Sequence, residues 1–325
     1  MIKRDARLWA LLVLALLVSG PASAGAERPE LSLRPAEIRA GETAQRQVLL
    51  ASARAGGRLV AVGARGTVLL SDDDGASFRQ ARSVPAQASL TSVSFIDARR
   101  GWAVGHWGVI LTTSDGGESW EVQRSDIAAD RPLFAIHAFS TDDAVAVGLW
   151  SLVLVTHDGG KTWTEQALPV PPGAKKADLN LFAAFPGRGG TLFVTAEGGQ
   201  LLRSDDRGGS WVYVDTGYRG TFWTGLGLAD GTLLVGGLRG TVYRSADGGR
   251  SWQPAVTSAR SSVTHLVQAA DGSVLGTALD GVSLVSSDGG RTFQASQRED
   301  RAALTTIQPT AAQPLVFSKQ GILRP

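Results

Sequence analysis

Six times along the chain the same eight-residue pattern returns: Ser or Thr, any residue, Asp, any residue, Gly, any residue, Ser or Thr, then a large aromatic. The closing aromatics are Phe78, Trp120, Trp163, Trp211, Trp252 and Phe293, so the steps between them run from 41 to 48 residues. In each pattern the carboxylate (Asp73, Asp115, Asp158, Asp206, Asp247 or Asp288) can accept hydrogen bonds from the backbone N–H groups that follow it, which fixes a tight turn. The glycines permit the positive φ angles such a turn needs, and the aromatic anchors the returning strand. Ahead of Trp120, residues 102–105 and 109–113 are two short β-rich runs split by a turn at His106, Trp107 and Gly108. A lone hairpin is marginal. A period of 40–50 residues with several short strands per unit signals a β-propeller, in which these Asp and aromatic residues are structural.

Labelling the strands of a unit a to d from the axis outward, the second unit reads as residues 90–95, 102–105, 109–113 and 120–123. The two ends of the chain are incomplete in opposite ways. The alternation over residues 30–34 stands where an outermost strand belongs, one period before Phe78. Residues 304–310, 315–318 and 321–323 repeat the first three strands, and no pattern follows them. The expected fold is therefore all-β, a seven-bladed propeller of four-stranded antiparallel blades. Residues 31–34 are expected to pair beside 321–323, so that the N-terminal strand completes the last blade and closes the ring. The 301 residues after residue 24, shared among seven blades, give 43 each, which is the observed pitch.

Residues 1–24 have the form of a secretory signal peptide: basic Lys3, Arg4 and Arg7, an apolar run over 8–18, then Ala22, Ser23 and Ala24 as a cleavage site before Gly25. The run is short for a bilayer span, and a retained anchor is the alternative. The expected product is one propeller domain, residues 25–325, that is periplasmic or secreted, monomeric and not inserted in a membrane. The leader holds three basic residues and one acidic, which leaves 29 of each in the remainder. The basic balance of the whole chain is thus partly the leader's, and it does not point to nucleic acid. With no cysteine, an exported chain of this size relies on its core and not on disulfides.

In an up-and-down blade the a–b and c–d turns lie on one face of the disc; the b–c turns and the links between blades lie on the other. The six patterns are c–d turns. The c–d and a–b turns together hold six more acidic than basic residues, so the opposite face is expected to be the basic one. That face carries loops on a rigid scaffold, where binding concentrates. Its candidate partner-binding residues are Arg65, His106, Trp107, Trp150, Arg239 and Lys319 in b–c turns, with Lys175, Lys176, Tyr218 and Arg219 in links. Trp107 and Trp150 hold equivalent tips in consecutive blades, and Trp, Tyr and Arg are the types enriched in interface hot spots. Trp223 reads as a strand-a residue packing inward. A solvated rim without a partner is the alternative reading of the same charges.

Catalytic groupings are not found in the pattern. His106, His137, His157 and His265 fall in four different units without metal-ligand spacing. No Gly-rich loop opens onto a helix. One carboxylate per repeat falls short of the six or more oxygens calcium takes. The expectation is no catalytic residue, no metal and no cofactor.

The full repeat is Val104, Gly105, Gly108, Val109, Ile110, Leu111, Thr113, Asp115, Gly116, Gly117, Ser119 and Trp120, echoed by Val235, Gly236, Gly240, Thr241, Val242, Tyr243, Ser245, Asp247, Gly248, Gly249, Ser251 and Trp252. Its closing segment resembles the Asp-box, or BNR repeat, shared by sialidases, xyloglucanase-type glycosidases, sortilin-like receptors and photosystem II assembly factors. The longer repeat is similar to the photosystem II stability and assembly factor family over nearly the whole chain after the leader. That resemblance implies a seven-bladed propeller without catalytic activity, acting as a lumenal or periplasmic scaffold that holds a membrane-protein partner through an arginine-rich patch. Arg65 and Arg239 occupy matching turns here, although the family's patch arginines do not align position by position. Photosystem binding itself does not follow. The alternative is a glycoside hydrolase or carbohydrate-binding propeller of the sialidase or xyloglucanase type. Against it, only Tyr213, Tyr218 and Tyr243 could supply a tyrosine nucleophile, the sialidases' N-terminal arginine motif is missing, and Glu197 and Asp280 lie two blades apart.

Overall fold

Each of the six repeated turns is closed by the same hydrogen-bond relay. In the first, the Ser71 hydroxyl accepts from the Gly75 N–H at 2.8 Å and donates to Asp73 Oδ1 at 2.8 Å, and that oxygen also accepts from the Ser77 N–H at 2.9 Å. The relay recurs around Asp115, Asp158, Asp206, Asp247 and Asp288. The opening hydroxyl is therefore as much a part of the turn as the carboxylate. These contacts hold Asp73 and Asp158 down to about 2: the Ser77 hydroxyl and N–H act first for Asp73, the Thr162 N–H and hydroxyl for Asp158.

The chain is described here by a computed structural model that covers residues 32–39 and 41–324. The proposed leader, residues 1–24, and Leu31 lie outside the described residues. Seven antiparallel sheets follow one another in chain order, the hairpins running outward from the axis. The second comprises Leu90–Phe95, Gly101–Gly105, Ile110–Thr113 and Glu121–Arg124, within one residue of the expected bounds. Six blades have four such strands. One short segment, Val256–Thr257, leaves the fifth blade to pair in parallel with Thr292–Phe293 of the sixth. A four-residue helix, Glu42–Gln45, precedes the first blade. Among the described residues no helix is long and apolar enough to cross a membrane.

Neighbouring blades pack face to face through their buried b and c strands. Gly208 shows why glycine is needed in the repeated turn. It sits at φ 96°, and a Cβ there would meet Val145 of the preceding blade at 2.7 Å. Each turn thus tucks against the blade before it, and its aromatic fills the seam: Trp120 lies in one core with Val60, Val62 and Leu70.

The ring closes differently from the sequence expectation. The seventh sheet has three strands, Leu304–Gln308, Leu315–Ser318 and Gly321–Leu323. Residues 32–39 are not a strand and do not extend it. They lie along the first blade, where the Ala36 N–H donates to the Val84 carbonyl at 2.8 Å and the Gln87 N–H to the Arg34 carbonyl at 2.7 Å. At Gly321, where a Cβ would meet the carbonyl oxygen of Gln45, the chain passes as closely as the interblade links do at Gly66, Gly199 and Gly240. Residues 45–48 fill the place of an interblade link beneath the last b–c turn, and the segment before them is carried past the seventh blade onto the first. Closure rests instead on ordinary blade-to-blade packing of Leu49, Leu59, Leu69 and Phe78 against Leu315 and Phe317. Phe78 and Phe317 meet edge to face at 6.2 Å.

The excess of acid on the repeated-turn face is also partly offset. Arg79 pairs with Glu118 and Asp72, Arg58 with Asp72 at 2.6 Å, and Arg82 reaches Asp115 at 3.5 Å. Arg82 follows the fourth strand of the first blade, Arg79–Gln80. Its backbone is drawn to the next blade's turn by N–H donation to the Glu118 carbonyl.

Candidate partner-binding face

Five of the seven b–c turns share one geometry at positions where only some residues are comfortable. Arg65, Trp107, Trp150, Gly198 and Arg239 all take left-handed φ and ψ, for example 55° and 34° at Arg65 and 53° and 51° at Trp150. Asp280 shares the positive φ at 58°. The residue after each is also left-handed, so these are type I′ turns, which suit the twist of a hairpin. A bulky residue at such a φ is an outlier that invites a functional explanation. Three of those bulky side chains, Arg65, Trp150 and Arg239, are exposed.

The turns are tied to the links beneath them. The Ala64 N–H donates to the Val48 carbonyl, His106 to Ser89, Leu149 to Pro132, Leu238 to Thr221, Leu279 to Ser262 and Lys319 to Ala303. All these acceptors lie two residues before the bulged position of a strand a, so the turns ring the mouth of the central channel.

The candidates divide by what they already touch. Trp150 is 61% exposed. Arg65, Arg239, Lys175 and Lys319 are exposed, and none of them makes an ion pair within 4 Å among the described residues. His106 is exposed as well. The other four are engaged. Trp107 is half-buried on the core between the first two blades, so it is not the free twin of Trp150. Tyr218 packs on Phe222 at 5.0 Å and Tyr243 at 5.5 Å. Arg219 pairs with Asp215 at 3.0 Å and Lys176 with Asp178 at 3.0 Å. Beneath Trp150 the backbone is pinned twice: its N–H donates to Asn180 Oδ1 at 3.2 Å and the Ser151 N–H to the Leu179 carbonyl at 2.7 Å. Asn180 in turn donates to both oxygens of Glu197 at 3.0 Å.

Sequence reasoning missed the channel mouth. Every strand a has a β-bulge one residue after it begins. The bulged residues, Leu50, Thr91, Phe134, Phe182, Trp223, Thr264 and Thr305, all line one central cavity. Trp223 does sit on a strand a, Phe222–Gly227, and faces this channel. A signal was present: these seven residues fall at one repeat position, yet only the geometry shows that the position turns inward. Deeper in the channel burial pushes His137 and His265 down to about 4.

Residues 80–180 match the family model described as Photosynthesis system II assembly factor YCF48. No curated protein matches the sequence. Among solved structures, YCF48 bound to D1 peptide is similar with a TM-score of 0.69 at 19% identity, over 90% of this chain and 98% of that one. YCF48 from Cyanidioschyzon merolae gives 0.66 at 16% identity, over 89% of this chain and 97% of that one. The extracellular domain of a hybrid two component system from B. thetaiotaomicron gives 0.67 at 13% identity, over 90% of this chain and 39% of that one. At these identities the structures speak for a shared fold. The sequence match adds similarity to the photosystem II assembly factor family over residues 80–180, the resemblance expected from the repeats.

Proposed function

We propose that this photosystem II assembly factor-like propeller is an exported, non-catalytic scaffold, and that the face bearing the b–c turns docks the periplasmic part of a membrane protein. One observation carries the proposal: a 61%-exposed Trp150 shares its face with Arg65, Arg239 and Lys319, which have no ion-pair partner among the described residues. An exposed aromatic among uncommitted cations suits a protein surface with an apolar anchor and an acidic rim. A structural relative, YCF48, is described as bound to D1 peptide. The remaining parts of the proposal are that residues 1–24 are a cleaved leader, residues 25–325 one domain, and the product a monomer.

The fate of the candidate catalytic groups supports a scaffold over a glycosidase. Both oxygens of Glu197 are taken by Asn180, which suits a structural carboxylate better than a proton-transferring one. Tyr218 and Tyr243 are packed into an aromatic cluster and the Tyr213 hydroxyl is buried, so none is presented as a nucleophile. The test is co-purification from the cell envelope with wild type, Trp150→Ala and the Arg65→Glu/Arg239→Glu pair, all checked for unchanged melting. The charge reversal should sharply reduce recovery of the wild-type partner, and the native interaction should weaken with salt. Equal recovery by every variant removes this face as the docking site.

A further inference from the structure

We propose that the mouth of the central channel is a socket for one aromatic or large aliphatic side chain from an extended acidic segment of the partner. This rests on the docking reading above and names what the face grips. At the bulged position blades two, six and seven carry Thr91, Thr264 and Thr305. Each of these hydroxyls is spent on the carbonyl of the next strand a, those of Leu133, Leu304 and Leu49, at 2.7 to 3.0 Å. They offer little free polarity to the channel. Blades three, four and five instead carry Phe134, Phe182 and Trp223 side by side. Phe134 and Phe182 stack at 5.8 Å with 10° between their planes.

None of these three aromatics belongs to an interblade core; all are half-buried and open to the channel. Three large rings form an apolar crescent in an opening whose lining is otherwise mainly polar, and such an exposed aromatic patch marks an interaction site. The cavity of about 300 Å³ is at the small end for a ligand site and suits a single side chain rather than a folded element. Trp150 is coupled to the same crescent. Its turn is hydrogen-bonded to Pro132 and Asn180, each two residues before a stacked Phe. Lys319 and Arg65, without an ion pair among the described residues, sit across the mouth in turns anchored two residues before Thr305 and Leu50, while Arg239, likewise unpaired there, flanks the crescent in the turn anchored two residues before Trp223. Aromatic walls on one side and uncommitted cations around the rim select an apolar group flanked by carboxylates.

The test uses two capped peptides, acetyl-Glu-Asp-Ser-Phe-Ser-Asp-Glu-amide and the same peptide with Ala for Phe, titrated calorimetrically into the full chain. The Phe peptide should bind on the order of tenfold or more tightly than the Ala peptide. Phe182→Thr with Trp223→Thr should abolish that difference. These changes install the residue three other blades already use at the position, so melting should hold. Arg65→Glu with Arg239→Glu should weaken both peptides together. Equal binding of the two peptides, or no saturable binding of the Phe peptide, overturns the socket. Equal binding that is lost on charge reversal overturns the socket alone and keeps the docking face. A Phe advantage indifferent to charge reversal overturns the acidic partner and with it the docking reading.

Discussion

Thr305 donates its hydroxyl to the carbonyl of Leu49 at 2.7 Å, and with that bond the last blade is joined to the first. The same contact links the second blade to the third through Thr91 and Leu133, and the sixth to the seventh through Thr264 and Leu304. The seam where the chain's two ends meet is therefore built like other seams of the ring. Gln308 adds a donation to the Ser52 carbonyl at 3.1 Å, and the Ala311 N–H donates to Asp74 at 2.7 Å.

Removal of residues up to 36 should accordingly cost little. Among the described residues it deletes two backbone hydrogen bonds and some packing on the first blade, for which about 1–3 kcal/mol is expected. Phe317→Ala opens a cavity in the closing core and should cost about 3–5 kcal/mol. Thermal or denaturant melts of the two variants give the order directly. A truncation more damaging than Phe317→Ala would restore strand-swap closure.

The strands and the turn face were legible because they rest on local chemistry. An Asp, its hydroxyl and a glycine make the same turn wherever they recur, and the expected strands of the second blade match Leu90–Phe95 and its neighbours within a residue. Closure was not legible, because the alternation over residues 30–34 satisfies a strand pattern while the bonds that draw Arg34 and Ala36 onto the first blade come from Gln87 and Val84, far along the chain. The channel mouth escaped for a related reason. A bulge inverts which residue faces inward, so Phe134 and Phe182 read as ordinary strand residues. Trp107 and Trp150 look equivalent in sequence, yet the first finds a core to lie on and the second does not.

Asp115→Ala should destabilise the fold by about 1–3 kcal/mol through loss of the turn's hydrogen bonds. Partner binding should survive at temperatures where the variant is folded, since the turn faces away from the b–c loops. Binding lost without a change in melting would move the site to the opposite face.

Stability should fall in two stages on acidification. Burial keeps His137 and His265 neutral to about 4 in the folded chain, while the unfolded chain protonates them near the usual 6.5. Between those values the unfolded state binds more protons, so stability declines as pH drops from about 6.5 towards 4. The turn carboxylates act lower: with Asp73 and Asp158 held to about 2, their contribution is present above about pH 4 and lost as pH falls through 2. Melts of wild type and His137→Leu across pH 3 to 8 separate the stages. A His137→Leu profile as steep as wild type between pH 4 and 6.5 would exclude that histidine.

Gln123 should prove unexpectedly important for a half-exposed residue. Its Oε1 accepts from the indole N–H of Trp102 at 2.9 Å and of Trp163 at 3.3 Å, and its Nε2 donates to the Gly159 carbonyl at 2.8 Å. Trp120, Trp211 and Trp252 bond instead to a glycine carbonyl of their own turn. Gln123→Leu leaves two indole donors unpaired, and at least about 1–3 kcal/mol should be lost. Gln123→Glu keeps the oxygen that accepts both indoles but sets a second carboxylate oxygen against the Gly159 carbonyl, so it should recover only part of the loss in denaturant melts.

Trp150→Gly should separate stability from function. A large residue at φ 53° is held in a left-handed conformation that costs roughly 1–2 kcal/mol in an L-residue. Glycine relieves this, less its own entropic cost of about 0.5–1 kcal/mol. The fold already accepts glycine at this place, for Gly198 holds the same position in the next blade at φ 65°. With 61% of Trp150 exposed, little burial is forfeited. The variant should melt at the wild-type temperature or slightly above it, and bind its partner more weakly. Trp107→Gly provides the contrast, because its ring packs on the core between the first two blades; relief of the same strain should be outweighed there by lost burial of about 1.5–3 kcal/mol. If Trp150→Gly melts as low as Trp107→Gly, the exposed indole is holding the fold together, and its left-handed backbone no longer argues for a binding role.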